Sequence, residues 1–214
     1  MKWFLRKYPM FVLGACLVAT VTTMVRGLLD FSDPWHRLAA LLAALQVVWL
    51  TLETWTTVRS SQSTESATDR GTLYVYGTAR TATLVAACLG AGDDQTYRPW
   101  LLALPVVFVA AVGLRLWAIR TLGRFYSHRV RVLGDHQIVR SGPYRVVRHP
   151  AYLGMAVAHI AYVLFFLNTY SAAALMVLLT ALAVRILIEE RTLLTLPGYS
   201  DYAATHRRVI PWVW

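Results

Sequence analysis

Long apolar runs separated by short polar stretches set the pattern of this chain. Six of them, at residues 9–29, 35–58, 73–91, 99–120, 151–168 and 171–190, approach the roughly 20 helical residues needed to cross a hydrocarbon core. The pattern predicts an all-α fold, a polytopic transmembrane helical bundle of about six spans. Only Asn168-Thr169-Tyr170 separates the fifth run from the sixth, which predicts a tight helical hairpin. Residues 59–71, rich in Ser and Thr, read as a loop. No internal repeat suggests a transporter built from inverted halves.

Composition strengthens the membrane reading. The 214 residues are 57% hydrophobic and 15% charged, and the mean hydropathy is +0.48, whereas soluble domains are about a quarter charged. The net charge of +10 does not point to nucleic acid, because the Arg residues punctuate apolar runs instead of forming one solvated basic face. It acts as a topology signal. Basic residues gather at the N-terminus, in the loop with Arg59 and Arg70, in the stretch from Arg124 to Arg148, and in the tail with Arg191, Arg207 and Arg208. The connection carrying Asp93 and Asp94 has only Arg98, and the hairpin turn is uncharged. Both termini and the intervening basic loop are therefore expected on the cytoplasmic side.

Cys16 and Cys88 each lie inside an apolar run, so they supply neither a disulfide framework nor a metal cluster. Leu13-Gly14-Ala15-Cys16 resembles a lipoprotein processing box, but apolar sequence continues to Val25, and an uncleaved first span is the better reading. Trp3, Trp35, Trp100, Trp212 and Trp214 stand at or near segment ends and are expected to anchor at the headgroup level.

Candidate chemistry concentrates in two places. The first is LGRFYSHRVRVLGDHQIVRSGPYRVVRHPAYLG, residues 122–154, which is basic, dense in Gly, Pro, His and Tyr, and runs directly into an apolar helix. Residues 136–140 suit a short extended piece, Gly142-Pro143 a turn, and Pro150 the first turn of a helix. His149, Tyr152 and the unpaired N–H groups of a helix start would meet at the membrane surface, a spot suited to a carboxylate, a lipid phosphate or another anion. The second is Arg185 with Glu189, four residues apart and so on one helical face. Ionisable groups at the edge of a span point to function, although a surface salt bridge with snorkelling also fits them. Arg120 reads as a snorkelling cation and Arg115 as one facing inward; His159 reads as a helix-to-helix hydrogen-bonding group. Glu53 fits either a functional carboxylate or an interhelical contact.

The run Gly142-Pro143-Tyr144-Arg145-Val146-Val147-Arg148-His149-Pro150-Ala151-Tyr152-Leu153-Gly154 resembles the signature loop of the isoprenylcysteine carboxyl methyltransferase family, broadly shared with phospholipid N-methyltransferases. The likeness extends to Leu122-Gly123, His136-Gln137-Ile138-Val139, Arg185, Glu189-Glu190, Leu193, Gly198-Tyr199, Tyr202 and Ile210-Pro211. Several motifs in order are more specific than one. The resemblance implies an S-adenosylmethionine-dependent methyltransferase with its cofactor in a cytoplasm-facing pocket. Backbone from His136, Gln137, Ile138 and Val139 would border the adenosine. Gly142, Tyr144, His149, Pro150, Tyr152 and Glu190 would help hold the cofactor, with Gly154 permitting close approach, while Arg185 and Glu189 would stand at the junction with the acceptor.

That resemblance divides the chain into residues 1–112, transmembrane helices expected to select the substrate, and 113–214, the catalytic region. The latter comprises a cofactor loop 121–150, the hairpin 151–190 and a cytoplasmic tail 191–214. The implied partners are a lipophilic or membrane-associated methyl acceptor and membrane lipids, with no nucleic acid, metal or obligate protein partner. O-methylation of a prenylated-cysteine-like carboxylate is the leading expectation. Beside it stand N- or S-methylation of a phospholipid or small molecule, an NADPH-dependent sterol-type reductase sharing the Arg-His-Pro-x-Tyr loop, and a non-enzymatic scaffold or transporter.

Overall fold

A computed structural model of the protein describes residues 2–60, 71–90, 96–126 and 138–210, without the side chains of 2–6 and 55–60. Each of the six apolar runs is a helix: α1 (Lys2–Leu29), α2 (Pro34–Ser60), α3 (Thr72–Leu89), α4 (Ala103–Leu122), α5 (Pro150–Phe165) and α6 (Thr169–Leu193), followed by a short α7 (Tyr199–Thr205). Four stretches, Lys7–Leu29, Pro34–Thr54, Pro99–Phe125 and Thr169–Leu193, are helical, long and apolar enough to cross a membrane. The other two runs fall short of the expectation of about six spans. Helix α5 has 16 residues, and α3 carries Arg80 among several Thr and Tyr residues.

The connection from α5 to α6 is as tight as its sequence predicts. Asn168 caps α6 by accepting from Ser171 N at 2.9 Å, while its own backbone N–H donates to Ser171 Oγ at 3.1 Å; such reciprocal capping satisfies two otherwise orphaned donors. Yet the two helices are not each other's main partners. Helix α5 lies chiefly along α4 and α6 along α3, while α1 packs on α2 and α3. Asn168 Nδ2 also donates to Ala86 O at 3.0 Å, tying the start of α6 to the end of α3.

A glycine explains why α5 prefers α4. A Cβ at Gly154 would stand 2.5 Å from Ala111 O and 2.9 Å from Arg115 N, both backbone atoms that cannot swing aside. Gly154 thus sets a close helix crossing. Gly154→Ala should destabilise the protein by about 1–3 kcal/mol, the usual cost of overpacking, read as an earlier unfolding midpoint in detergent. An unchanged midpoint would mean that the crossing has slack.

Among the described residues, the larger of two apolar core clusters is rich in aromatic residues. Trp35 is 3% exposed and stacks on Phe165 with ring centroids 5.6 Å apart, so it is a core residue and not the interfacial anchor expected from its position. Trp100, 53% exposed, keeps a position consistent with anchoring. Trp212 and Trp214 lie outside the described residues, and the Trp3 side chain is not described.

Candidate functional site

The loop leading into α5 rests on the end of α4. Gly142 has φ +58, and a Cβ there would lie 3.0 Å from Thr121 Oγ1, so glycine meets both a left-handed backbone and a close neighbour. Residues Gly142–Arg145 form a 3₁₀ turn with Pro143 in its first turn. Tyr144 is buried against Ala118 and Ala151, with Val139 packed beside them. Pro150 opens α5 in the position where its missing N–H costs nothing.

The tail straps this loop from outside. Val147 pairs with Arg207 in a parallel bridge, and the N–H groups of Arg148 and His149 donate to the carbonyls of Arg207 and Arg208, each at 2.8 Å. Tyr202 OH donates to Tyr144 O at 2.7 Å, and Arg140 Nη2 to Gly198 O at 3.1 Å. Ile138 reaches the same corner, its Cδ1 within 3.8 Å of where a Gly198 Cβ would be. The helix start is less open than its sequence suggests. His149 N–H is taken by the tail, while Tyr152 N and Leu153 N donate back to His149 O, both at 3.1 Å.

Glu190 gathers the charges of loop, helix and tail. Its Oε1 lies 2.6 Å from Arg148 Nη1 and 3.2 Å from His149 Nε2, and its Oε2 accepts from Arg208 Nε at 2.5 Å. Tyr199 OH also donates to Oε1 at 3.4 Å. Among the described residues, two guanidiniums share one buried carboxylate. Arg148 Nε is buried without a hydrogen-bond partner among the described residues. Burial, with Glu190 adding to it, pushes the Tyr199 phenol well above its ordinary range, with Arg148 opposing. Burial lifts Tyr202 to about 12 against Arg148 and Arg140, and burial followed by Glu189 raises Tyr144. All three phenols stay protonated at neutral pH, and those of Tyr199 and Tyr202 act as donors.

A second cluster adjoins the first. Tyr152 OH donates to Glu189 Oε2 at 2.7 Å and accepts from Arg185 Nε at 3.0 Å. Arg185 Nη1 also donates to Thr72 Oγ1 at 3.1 Å, and its guanidinium stands 5.8 Å from the Tyr76 ring centroid. Arg185 and Glu189 do share one helical face, and Tyr152 bridges them. Arg185 is buried and Glu189 half-buried, so the pair is not an open surface salt bridge.

The expected site residues therefore fall into distinct places. Tyr152, Arg185 and Glu189 meet in one hydrogen-bonded group; His149, three residues before Tyr152, and Glu190, next to Glu189, meet in the neighbouring one. Tyr144 and Val139 line the loop's inner side, and Ile138 lies near Gly198. Gly142 and Gly154 both face α4, while His136 and Gln137 lie outside the described residues.

Several participants escape a reading of the sequence. Arg148, Tyr199 and Arg208 complete the surroundings of Glu190, although no periodicity marks them. Glu53 resolves as an interhelical ion-pair centre. Arg115 Nε donates to its Oε1 at 2.9 Å, and Arg80 Nη2 lies 2.6 Å from its Oε2. Arg115 faces inward as its depth suggests, also donating to Ala151 O at 3.1 Å and Tyr126 OH at 3.4 Å. Arg80 is the overlooked member; an Arg amid an apolar run is itself a signal. His159 bonds within its own helix, Nδ1 to Met155 O at 2.9 Å, instead of bridging to another. Arg120 is exposed, as snorkelling requires.

Residues 101–195 match the isoprenylcysteine carboxyl methyltransferase (ICMT) family. The chain is similar to protein-S-isoprenylcysteine O-methyltransferase B of Arabidopsis thaliana, 32% identical over 105 residues that cover 47% of this chain and 53% of that protein. It is also similar to a Bacillus subtilis (strain 168) protein named uncharacterized protein YpbQ, 27% identical over 96 residues, 44% of this chain and 56% of that one. The chain thus spans about half the length of the curated relatives it matches. The matched region holds Tyr144, His149, Tyr152, Arg185, Glu189 and Glu190; Glu53, Arg80, Tyr199 and Arg208 lie outside it. Four helices able to cross a bilayer, taken with this kinship, describe an integral membrane protein. Residues 101–195, with their Gly-Pro-Tyr and Arg-His-Pro-x-Tyr loop and the paired glutamates of α6, are thus the part of the chain that is similar to the ICMT family.

Proposed function

We propose that the protein is an S-adenosylmethionine-dependent membrane methyltransferase that O-methylates a carboxylate on a lipophilic, prenylated-cysteine-like acceptor. The observation that carries this reading is the convergence of Arg185 and Glu189 on Tyr152, directly beside the Glu190 cluster. The side chains present suit the cofactor. The unpartnered Arg148 Nε fits its carboxylate, Glu189 and Glu190 fit its cationic end, and the Tyr144, Tyr152 and Tyr199 rings supply aromatic surface. When bound, S-adenosylmethionine supplies a methyl group on a sulfonium that departs as a neutral thioether.

The chain's own residues then position and desolvate. Arg185 is poised to orient the acceptor carboxylate, with Thr72 holding its far nitrogen. Glu189 balances the charge of Arg185 and, through Tyr152, fixes the distance between them. A carboxylate is already ionised at neutral pH, so no strong base is required; alignment and exclusion of water supply the rate. The basic loop and tail are assigned to the cytoplasmic side by the positive-inside rule.

The test is incubation of purified protein with labelled S-adenosylmethionine and a panel of prenyl-thiol acids, amino lipids and small thiols. Base-labile product from the acids alone is the expected result; base-stable product from amino lipids would replace O- with N-methylation. Parallel titration with NADPH tests the reductase reading, and binding of NADPH without S-adenosylmethionine would overturn ours. Tyr152→Phe, which removes the bridging hydroxyl and keeps the ring, should lower kcat about 10–100-fold, as for loss of a positioning hydrogen bond. Unchanged kcat would remove Tyr152 from the machinery.

A further inference from the structure

A second buried polar cluster lies among α2, α3 and α5, about two turns along α3 from Thr72, or roughly 12 Å. Gln46, Trp49 and Glu53 recur at helical spacing on one side of α2. The Trp49 ring joins the group. The Arg80 guanidinium stands 4.8 Å from its centroid, and His159 meets it edge-on at 5.2 Å. Gln46, Trp49 and His159 are 0%, 1% and 1% exposed.

Two features set this cluster apart. Among the described residues its charges do not balance, because Arg80 and Arg115 share the one carboxylate of Glu53. Among the described residues, the other titratable groups acting on Arg80 include the Tyr76 phenol, the Cys16 thiol and the His159 ring, and none of these supplies a negative charge in its ordinary form at neutral pH. One positive charge is left over in an apolar bundle, where an uncompensated ion is costly. The second feature is the set of polar atoms without partners among the described residues: Gln46 Oε1 and Nε2, Trp49 Nε1, Arg80 Nε and His159 Nε2. Each such atom costs about 1–3 kcal/mol when left unsatisfied. Five such atoms on the facing sides of α2, α3 and α5 make the cluster a candidate polar site.

We propose that this cluster binds the carboxylate of an amphiphilic acid that enters the bundle from the lipid. A carboxylate cancels the surplus charge, and its lone pairs can accept from Arg80 Nε–H, Trp49 Nε1–H and the Gln46 amide together. The Met155 carbonyl only accepts, so His159 Nδ1 carries the ring proton, and neutral Nε2 is an acceptor. With Gln46 Oε1 it can hold a water that enters beside the acid. Arg80 gives the route, since its side chain is 14% exposed while the others are sealed. A plain hydrocarbon tail would leave every one of these atoms unpaired. The site is distinct from the Tyr152–Arg185–Glu189 group, and the proposal does not depend on the methyl-transfer reading.

The test uses the full chain in lipid nanodiscs with oleic acid, methyl oleate and oleyl alcohol, at a pH where the acid is ionised. Bound labelled ligand and the shift in unfolding midpoint are the readouts. Oleate should bind and raise the midpoint, whereas the ester and the alcohol should do neither. Arg80→Met should weaken oleate binding about 30-fold or more, as truncating one partner of a buried charged contact does. Trp49→Phe keeps an aromatic side chain and the ion pairs while removing the indole N–H, and should weaken it about 10-fold through one lost bond to a charged group. Should Arg80→Met fail to fold, Trp49→Phe still decides. Equal binding of acid and ester, no binding of oleate, or wild-type affinity in a folded Trp49→Phe would each overturn the proposal.

Discussion

Glu190→Gln is expected to weaken S-adenosylmethionine binding about 100-fold, close to 3 kcal/mol, and to loosen the tail from the loop. The substitution preserves shape and removes only charge. What it leaves is Arg148 and Arg208 converging on a neutral amide, where a carboxylate had received both guanidiniums, His149 and the Tyr199 hydroxyl. Removing one partner of a buried, hydrogen-bonded charge network typically costs 2–5 kcal/mol, much of it the penalty on the groups left behind. Two measurements separate the effects. Calorimetric titration reads the cofactor, and the rate of trypsin cleavage after Arg207 and Arg208 reads the strap, whatever ligand the site takes. Unchanged proteolysis would show that backbone pairing alone holds the tail; unchanged affinity would take Glu190 out of the cofactor's surroundings.

Glu53→Gln should have the largest effect on stability, a loss of about 3–5 kcal/mol. Glu53 is 4% exposed and binds one guanidinium from α3 and another from α4, so its neutralisation leaves two buried cations facing each other. Arg115 also holds Ala151 O at the start of α5, which should carry the disturbance into the helix that presents Tyr152. Unfolding in detergent is the measurement. A further substitution, Arg80→Gln on the Glu53→Gln background, removes one unpaired cation and should recover part of the loss. If the single variant unfolds with the wild type, or the double variant is worse than the single, the carboxylate is not the keystone between α3 and α4.

These two residues also show how far sequence reading reaches. The helices themselves follow from apolar length, and the start of α5 follows from Pro150, because both are local properties. The pairing of Arg185 with Glu189 follows from helical spacing. What could not be read is which helix lies against which. Helices apolar on most sides carry little information about the direction they face, so adjacency in sequence suggested α5 against α6 where the observed neighbours are α4 and α3. Trp35 was misplaced for a related reason: a Trp at a segment end looks the same whether it meets headgroups or Phe165. Glu53 and Arg115 were visible as charges in apolar runs, but the pairs of Glu53 with Arg80 and with Arg115 span 27 and 62 positions and leave no periodic trace. The site followed the same rule. Its members from one loop and one helix were legible, while Arg208, from a tail that returns to the loop, was not.

The bridge from Val147 to Arg207 joins positions 60 residues apart, with all of α5 and α6 made between them. Synthesis runs at about 5–20 residues per second, so the loop waits roughly 3–12 s for its partner strand. During that interval α5 and α6 can enter the bilayer while Arg148 and His149 still lack the tail carbonyls that will receive their N–H groups. Closure of the strap therefore has to wait until α5 and α6 have been synthesised, and the Glu190 cluster cannot be complete before Arg208 has joined the chain.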